Sequence, residues 1–274
     1  MYTDIVREYL RKDKFPSIWC PGCGHGIILG ALLRAVYKLG WDKNKIVLVS
    51  GIGCSGRTPG YVDFNTLHTT HGRALAFATG IKMANPELHV IAVMGDGDAV
   101  AIGGNHFIHT ARRNLDITAI VYNNSIYGMT GGQVSPTTPV GARATTAPYG
   151  CVEKPFDVVE LALGSGATFV ARGSSYHVPM LDNIIKEALA HKGFSVVDVI
   201  TTCPTTFGRR NRLTDDPVKN LEWIKERLVP LSKWEKMSEE ERKGKLPFGI
   251  FRKQELPELT ELYHEMDLKV RGEK

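Results

Sequence analysis

The chain has 274 residues, 43% of them apolar and 23% charged, a balance that excludes disorder over most of its length and suits a large α/β domain. No stretch approaches the ~18 uninterrupted apolar residues of a membrane span. The charged opening MYTDIVREYLRKDK lacks the apolar run of a secretory signal, so a cytoplasmic protein is expected. The net charge of +5 falls in the first 229 residues. It suits anionic cofactors or an acidic protein partner and is too weak for nucleic acid.

Residues 1–19 predict a short charged helix and an extended lead-in through Pro16 to Trp19. After CPGCGHG, apolar residues at Ile28, Leu32, Ala35 and Leu39 mark one face of a helix over His25–Leu39, with Gly40 as its C-cap. Lys45–Ile52 is a β-branched run ending at glycine, a buried strand. His71–Ala84 predicts a helix stopped before Pro86, Leu88–Met94 a second strand, Ala99–Asn114 a helix and Asp116–Tyr122 a third strand. Gly128–Gly150 is rich in Gly, Thr and Pro with little periodicity, and a loop of that length is usually functional. Helices are expected at Phe156–Leu163 and Val178–Lys192, strands at Ala167–Ala171 and Phe194–Ile200. Alternating helices and near-continuous apolar strands imply a doubly wound, mostly parallel sheet covered on both faces.

Beyond Cys203 the pattern changes. Asp216-Pro217 opens a helix with Leu221, Ile224 and Leu228 on one face. Residues 230–274 are charged and Pro-punctuated. The expected organisation is an α/β domain over 1–210, then a helix and extended arm over 211–274. The arm carries Trp234, Leu246, Phe248, Ile250 and Phe251 but is too short for its own core, so it is a candidate contact with another chain.

Gly95-Asp96-Gly97-Asp98 follows the second strand and Asn123-Asn124 closes the third. Between them lie one helix and one returning strand. Both motifs therefore fall at the C-terminal edge of a parallel sheet, where α/β ligands bind. A hard cation such as Mg2+ takes carboxylate and carbonyl oxygens plus phosphate. Asp96 and Asn124 offer two oxygens, and a main-chain carbonyl just beyond, such as Ile126, offers a third. The glycines let a diphosphate approach backbone amides. GDG followed at this distance by NN resembles the thiamine diphosphate motif, with a plain structural turn as the alternative.

Five cysteines in a cytosolic chain point to metal or redox chemistry before disulfides. Cys20 and Cys23 form C-x2-C in a Pro/Gly turn. Cys54 leaves the first strand and Cys203 the last, each into a loop, and Cys203 precedes proline. Four thiolates converging at the ligand edge would hold a 4Fe–4S cluster. Zinc, or a thiol pair with two buried cysteines, are the alternatives. Cys151 is the odd one out, read as a small non-ligand residue.

Together, WCPGCGHG, GIGCSGR, HTTHGRA, GDGDAVAIGGNHFIHTARRN, NNSIYGMTGGQVSPT and TTCPT resemble the β subunit of 2-oxoacid:ferredoxin oxidoreductases. These stretches span most of residues 15–210. The resemblance implies a thiamine diphosphate-binding fold of the diphosphate-domain type. It implies Cys20, Cys23, Cys54 and Cys203 as 4Fe–4S ligands, and Asp96, Asn124 and the Ile126 carbonyl as Mg2+ ligands. It further implies Ile52, Gly53, Cys54 and Ser55 beside the thiazolium, Gly95, Gly97 and Asp98 at the diphosphate, and Gly128, Met129 and Thr130 in the loop after NN. His71 is implied as another contact, against a capping or packing histidine; His68 beside it gives a zinc pair with no third ligand in sight.

The activity implied is oxidative decarboxylation of a 2-oxoacid with coenzyme A, electrons leaving through the cluster to ferredoxin. CSGRTPGYVDFNTLHTTHGRA looks most like 2-oxoglutarate-type subunits; pyruvate or a branched-chain 2-oxoacid stays open. Arg57 offers a bidentate partner for the distal carboxylate of a dicarboxylic substrate, against a solvated or phosphate-facing arginine. Arg112 and Arg113 are read as complementing a helix dipole. Thiamine enzymes also need a glutamate on the aminopyrimidine ring, yet residues 1–94 hold only Glu8 and Glu87, neither in a buried strand–loop setting. The chain is therefore expected to work with an α subunit that supplies it, as an αβ or (αβ)2 assembly, with further small subunits left open. The alternatives are a thiamine-dependent decarboxylase half without electron transfer and a zinc- or thiamine-binding accessory subunit.

Overall fold

The runs Ile46–Ser50, His89–Gly95 and Ile117–Asn123 are apolar at nearly every position because helices cover both faces of the sheet they build. The computed structural model describes residues 2–211, 213 and 216–272. Among them, eight strands form one sheet: β1 Ile46–Ser50, β2 Asn65–His68, β3 His89–Gly95, β4 Ile117–Asn123, β5 Phe169–Ser174, β6 Ser195–Ile200, β7 Leu228–Pro230 and β8 Leu246–Lys253. Their order is β2-β1-β3-β4-β6-β5-β8-β7. All neighbours from β2 to β5 are parallel.

Successive side chains of each strand go to opposite cores. Ile46 and Leu48 of β1, with Ile120 and Tyr122 of β4, pack under the helices His25–Leu39 and Val178–Ala190. Val47, Val49, Ala119 and Val121 pack under Ala74–Ala84, Gly104–Arg112 and Val158–Gly164. The first helix pair is clamped by Arg34, whose Nε and Nη2 each lie 2.7 Å from a carboxylate oxygen of Asp182. Gly40 ends the first of these helices in the left-handed region, φ 65.

Several elements differ in extent from the sequence expectation. The helix expected over Ala99–Asn114 is two, Asp96–Val100 and Gly104–Arg112. The break presses Gly103 onto the turn before it: a Cβ there would lie 2.2 Å from the Asp98 carbonyl oxygen. The helix expected from His71 starts at Ala74, and β5 runs on to Ser174. Strand β2 is mostly exposed, carries no apolar alternation, and is held by backbone pairing to β1.

The segment expected as an arm lends β8 to the sheet, antiparallel to β5, and β7 pairs with it. Phe248 is buried with Ile224 and Leu228. Ile250 and Phe251 pack on the two main cores, and Arg242 covers the Trp234 ring. These apolar side chains are thus met by this chain's own residues. Pro247 and Gly249 disguise the strand in the sequence, and a register shift at Val170/Ala171 accommodates its pairing. A helix, Leu259–Arg271, follows.

Candidate active site

The parallel register brings the ends of five strands level: Ser50 pairs with Val93, Gly95 with Tyr122, and Asn123 and Ser174 with Ile200. The loops leaving those ends carry the GDGD motif, the NN motif, Cys54 and Cys203. A cavity of about 230 Å³ opens among them. Every cofactor contact implied by resemblance lines it, from Ile52–Ser55 through His71, Gly95, Gly97 and Asp98 to Gly128–Thr130. So do Asp96, Asn124 and Ile126. His25, Tyr122 and Tyr127 complete the wall; each stands beside a motif residue, His25 two after Cys23 and the tyrosines flanking Asn123–Ile126, but nothing local in the sequence tells a ring that lines a cavity from one that packs in a core. Gly97 is needed at this spot, since a Cβ there would lie 2.1 Å from the Tyr127 ring.

Asp96 is 2% exposed. Its Oδ2 accepts hydrogen bonds from Ser135 Oγ at 2.5 Å and Thr137 Oγ1 at 2.6 Å. Burial pushes its carboxyl up to about 6, against the lowering effect of those hydroxyls. Asn124 turns back on itself, its Oδ1 accepting the Ile126 N–H at 3.2 Å. The residue between, Ser125, sits at φ 58, a conformation non-glycine residues keep only when the surroundings impose it. Thr138 Oγ1 holds the Ser125 carbonyl at 2.7 Å. Three hydroxyls of the long loop thus fix both ends of the GDGD…NN motif. Their signal in the sequence was the Ser/Thr density of that loop.

A second polar chain runs behind Asp96. Thr137 Oγ1 also lies 3.0 Å from Asn123 Oδ1, so its one hydrogen is shared with Asp96, and Asn123 Nδ2 donates to Asp198 Oδ1, likewise at 3.0 Å. Asp198 Oδ2 accepts from Arg172 Nε at 2.8 Å, and Arg172 Nη2 reaches Asp157 Oδ1 at 2.5 Å. Arg172 is fully enclosed and also donates to the Pro247 carbonyl. Neither Arg172 nor Asp198 carries a motif, so the sequence offered no sign of them.

Asp98 does not face open space. Its carboxylate accepts the Gly72 N–H at 2.6 Å and the Ile52 N–H at 3.4 Å, tying the loop after β1 to the turn before Ala74–Ala84. Burial raises its pKa. His71 Nδ1 stands 2.9 Å from Asp98 Oδ1, yet neither that nitrogen nor Asp98 Oδ2 has an aligned hydrogen-bond partner among the described residues. Two orphaned buried polar atoms on cavity-lining residues fit a wall that expects a polar ligand. The oxygen donors at Asp96, Asn124 and Ile126 fit a hard cation. His68 lies on exposed β2, outside the lining residues.

The cysteines approach from three directions. Trp19 Nε1 donates to the Cys54 carbonyl at 2.7 Å, and Thr202 Oγ1 to the Gly22 carbonyl at 3.0 Å. These bonds stitch the C-x2-C turn to the loops after β1 and β6. A Cβ built on Gly128 would lie 3.4 Å from Cys203 Sγ and 3.8 Å from Cys54 Sγ. Burial pushes the Cys23 thiol up to about 12, and Cys203, Cys54 and Cys20 all add to it. Burial likewise pushes Cys54 up to about 11. Cys23 and Cys54, as free thiols, are therefore protonated at neutral pH; a soft metal centre is what draws such protons off. Cys151 is buried elsewhere, 3.9 Å from the Glu153 carbonyl. Among the described residues no three His, Cys, Asp or Glu side chains are arranged to close on a single metal ion.

Among the described residues no glutamate lines the cavity. Glu87 is on the surface, 2.8 Å from Lys45 Nζ, and Glu8 is exposed. Arg57 is exposed on the turn Ser55–Gly60 and lies outside the lining residues, though its charge acts on Cys54.

Residues 51–199 match the thiamine pyrophosphate enzymes at their C-terminal TPP binding domain. The chain is 51% identical over 259 residues to the 2-oxoglutarate synthase subunit KorB of Methanothermobacter marburgensis, covering 94% of this chain and 90% of that protein. It is 49% identical to KorB of Methanocaldococcus jannaschii, covering 97% and 98%. Its fold superposes with a TM-score of 0.85, at 36% identity, on a solved structure covering 97% of this chain and 90% of that one. That structure is the 2-oxoglutarate:ferredoxin oxidoreductase from Magnetococcus marinus with 2-oxoglutarate, coenzyme A and succinyl-CoA bound.

Proposed function

Because the chain belongs to the β subunits of the 2-oxoacid:ferredoxin oxidoreductases, within the thiamine pyrophosphate enzymes, we propose that it forms the diphosphate-binding half of a 2-oxoglutarate-oxidising active site. One observation supports this above the rest: the GDGD turn, the NN turn and the Cys54 loop line a single cavity. Asp96, the Asn124 side chain and the Ile126 carbonyl would hold Mg2+, with the diphosphate against Gly95 and Gly97. Cys20, Cys23, Cys54 and Cys203 would hold a 4Fe–4S cluster. Coenzyme A and ferredoxin are the co-substrates. An α subunit completes the site, as αβ or (αβ)2, because none of the described residues brings a glutamate to the cavity. Among the described residues no helix is long and apolar enough to cross a membrane, in keeping with work in the cytoplasm.

When bound, thiamine diphosphate supplies the electron sink for loss of CO2 and the cluster carries electrons singly. The chain's own residues position and exclude. Ser135 and Thr137 fix Asp96, Asp98 fixes the backbone of Ile52, and Ile52 and Met129 present apolar side chains, each about two-fifths exposed, that shed water when a partner covers them.

The test is made on the full chain purified anaerobically with its α partner. That complex should contain iron and reduce a low-potential dye with 2-oxoglutarate and coenzyme A, while the chain alone should not turn over. Cys203→Ser should lose iron and visible absorption; Cys151→Ser should lose neither. Turnover by the isolated chain would return the search for a glutamate to this sequence, and full iron in Cys203→Ser would remove it from the ligand set.

Arg57 is proposed to hold the distal carboxylate of 2-oxoglutarate. A charge-assisted hydrogen bond contributes roughly 1.5–3 kcal/mol, or about one to two decades of kcat/KM. Arg57→Ala should lose that for 2-oxoglutarate and far less for pyruvate. Equal losses on both substrates would assign Arg57 to the electrostatics of Cys54 instead.

A further inference from the structure

Two of the four cysteines carry a protic side chain on their sulfur. Cys23 Sγ lies 3.2 Å from His25 Nδ1, and Cys203 Sγ lies 2.8 Å from Thr206 Oγ1. Neither contact is incidental to the fold. His25 is 1% exposed, its ring edge-on to Tyr122 at 4.9 Å and tilted on Trp19 at 5.8 Å. Thr206 sits in the wide turn Pro204–Gly208, closed by the Gly208 N–H on the Cys203 carbonyl at 3.0 Å. Such five-residue turns are rare and recur at functional sites; this one folds Thr206 back over the sulfur it follows.

The direction of both bonds is fixed by the chemistry. A sulfur bound to iron is a thiolate with no proton to give, so it accepts. Thr206 then donates its hydroxyl hydrogen. In a neutral imidazole one nitrogen carries the proton, and here that is Nδ1, the nitrogen at the sulfur. We infer that His25 and Thr206 donate hydrogen bonds to the cluster thiolates of Cys23 and Cys203 and set the cluster's reduction potential. The inference rests on the cluster reading above. Reduction adds a negative charge, and donors at the sulfurs stabilise the more negative state, so each raises the potential. His25 and Thr206 belong to opposite ends of the chain and act on different ligands, so their effects should add.

The experiment is a potentiometric titration of the cluster's electron paramagnetic resonance signal in the αβ complex. It uses Thr206→Val, Thr206→Ser, His25→Leu, His25→Asn and the parent. Thr206→Val keeps the shape and removes the donor. It should retain iron and shift the potential downward; a tenfold fall in the reduced-to-oxidised ratio at fixed poise is 59 mV for one electron. His25→Leu should shift the same way. Thr206→Ser, and His25→Asn with its amide donor, should return towards the parent. An unshifted potential in an iron-replete Thr206→Val complex overturns the inference while leaving the cluster intact. Loss of iron from Thr206→Val, with the parent replete, also overturns it, since Thr206 would then serve cluster assembly. An iron-free parent overturns the cluster reading itself, a result separate from the other two.

Discussion

Asp96→Asn is expected to weaken thiamine diphosphate and Mg2+ binding at least about a hundredfold, ~2.7 kcal/mol, while leaving the empty protein as stable as the parent at neutral pH or more so. The amide keeps an oxygen for Ser135 and Thr137, so the local hydrogen bonding survives. What is lost is the negative charge. In the empty site that charge is a burden: burial raises the carboxyl from 3.8 to about 6. The folded state thus binds its proton more tightly than the unfolded chain. Its stabilising effect is full below pH 3.8 and is lost as pH rises through about 6, about 3 kcal/mol in all. A cation bound above that pH offsets the loss. Calorimetric titration with cofactor, paired with thermal melts of the empty protein at pH 5 and pH 7, separates the two effects. Undiminished affinity in Asp96→Asn would assign the cation to another residue.

Arg172→Met is expected to be the most destabilising single change near the site, about 3–5 kcal/mol. Methionine fills much of the space but leaves Asp198, fully buried, without its cation. Burial already pushes the Asp198 pKa up while Arg172 pulls it down. Removing Arg172 leaves burial and the Asp157 charge opposed only by the Asn123 hydrogen bond, so the upward effect dominates. The variant's deficit should therefore shrink as pH falls and Asp198 takes a proton. Arg172→Met combined with Asp198→Asn should recover part of the loss, because the amide oxygen still accepts from Asn123. Denaturant unfolding at two pH values reads both outcomes. A deficit independent of pH would mean that lost packing, and not the stranded carboxylate, is responsible. The effect reaches the site, since Asp198 steadies Asn123, Asn123 shares Thr137 with Asp96, and Asp96 lines the cavity.

The placement of the site's residues was legible in the sequence wherever a few neighbouring residues carry it. Asp96 and Asn124 end up in one cavity because a strand, a helix and a parallel return strand leave little choice about where they end. That Cys54 and Cys203 reach this same sheet edge was readable for the same reason, each directly following a buried strand. The apolar runs of β1, β3 and β4 announced a sheet covered on both faces, since a strand facing water on one side would alternate.

What depended on strand order and side-chain reach was not legible. Ser135 and Thr137 are two of many hydroxyls in a loop without periodicity; only the folded loop shows which ones meet Asp96. Arg172 falls just past the end of the strand expected over Ala167–Ala171, and nothing local says that Asp198 stands beside it, because β5 and β6 are adjacent only once the sheet is assembled. The C-terminal segment reads as an arm because Pro247 and Gly249 interrupt β8, and its place beside β5 comes from pairing across the sheet. Short-range spacing fixes which residues lie at the ends of strands, since backbone geometry allows few alternatives. Which buried charges meet, and which side chains close the cavity, follows from contacts between segments far apart in the chain, and those exist only in the tertiary structure.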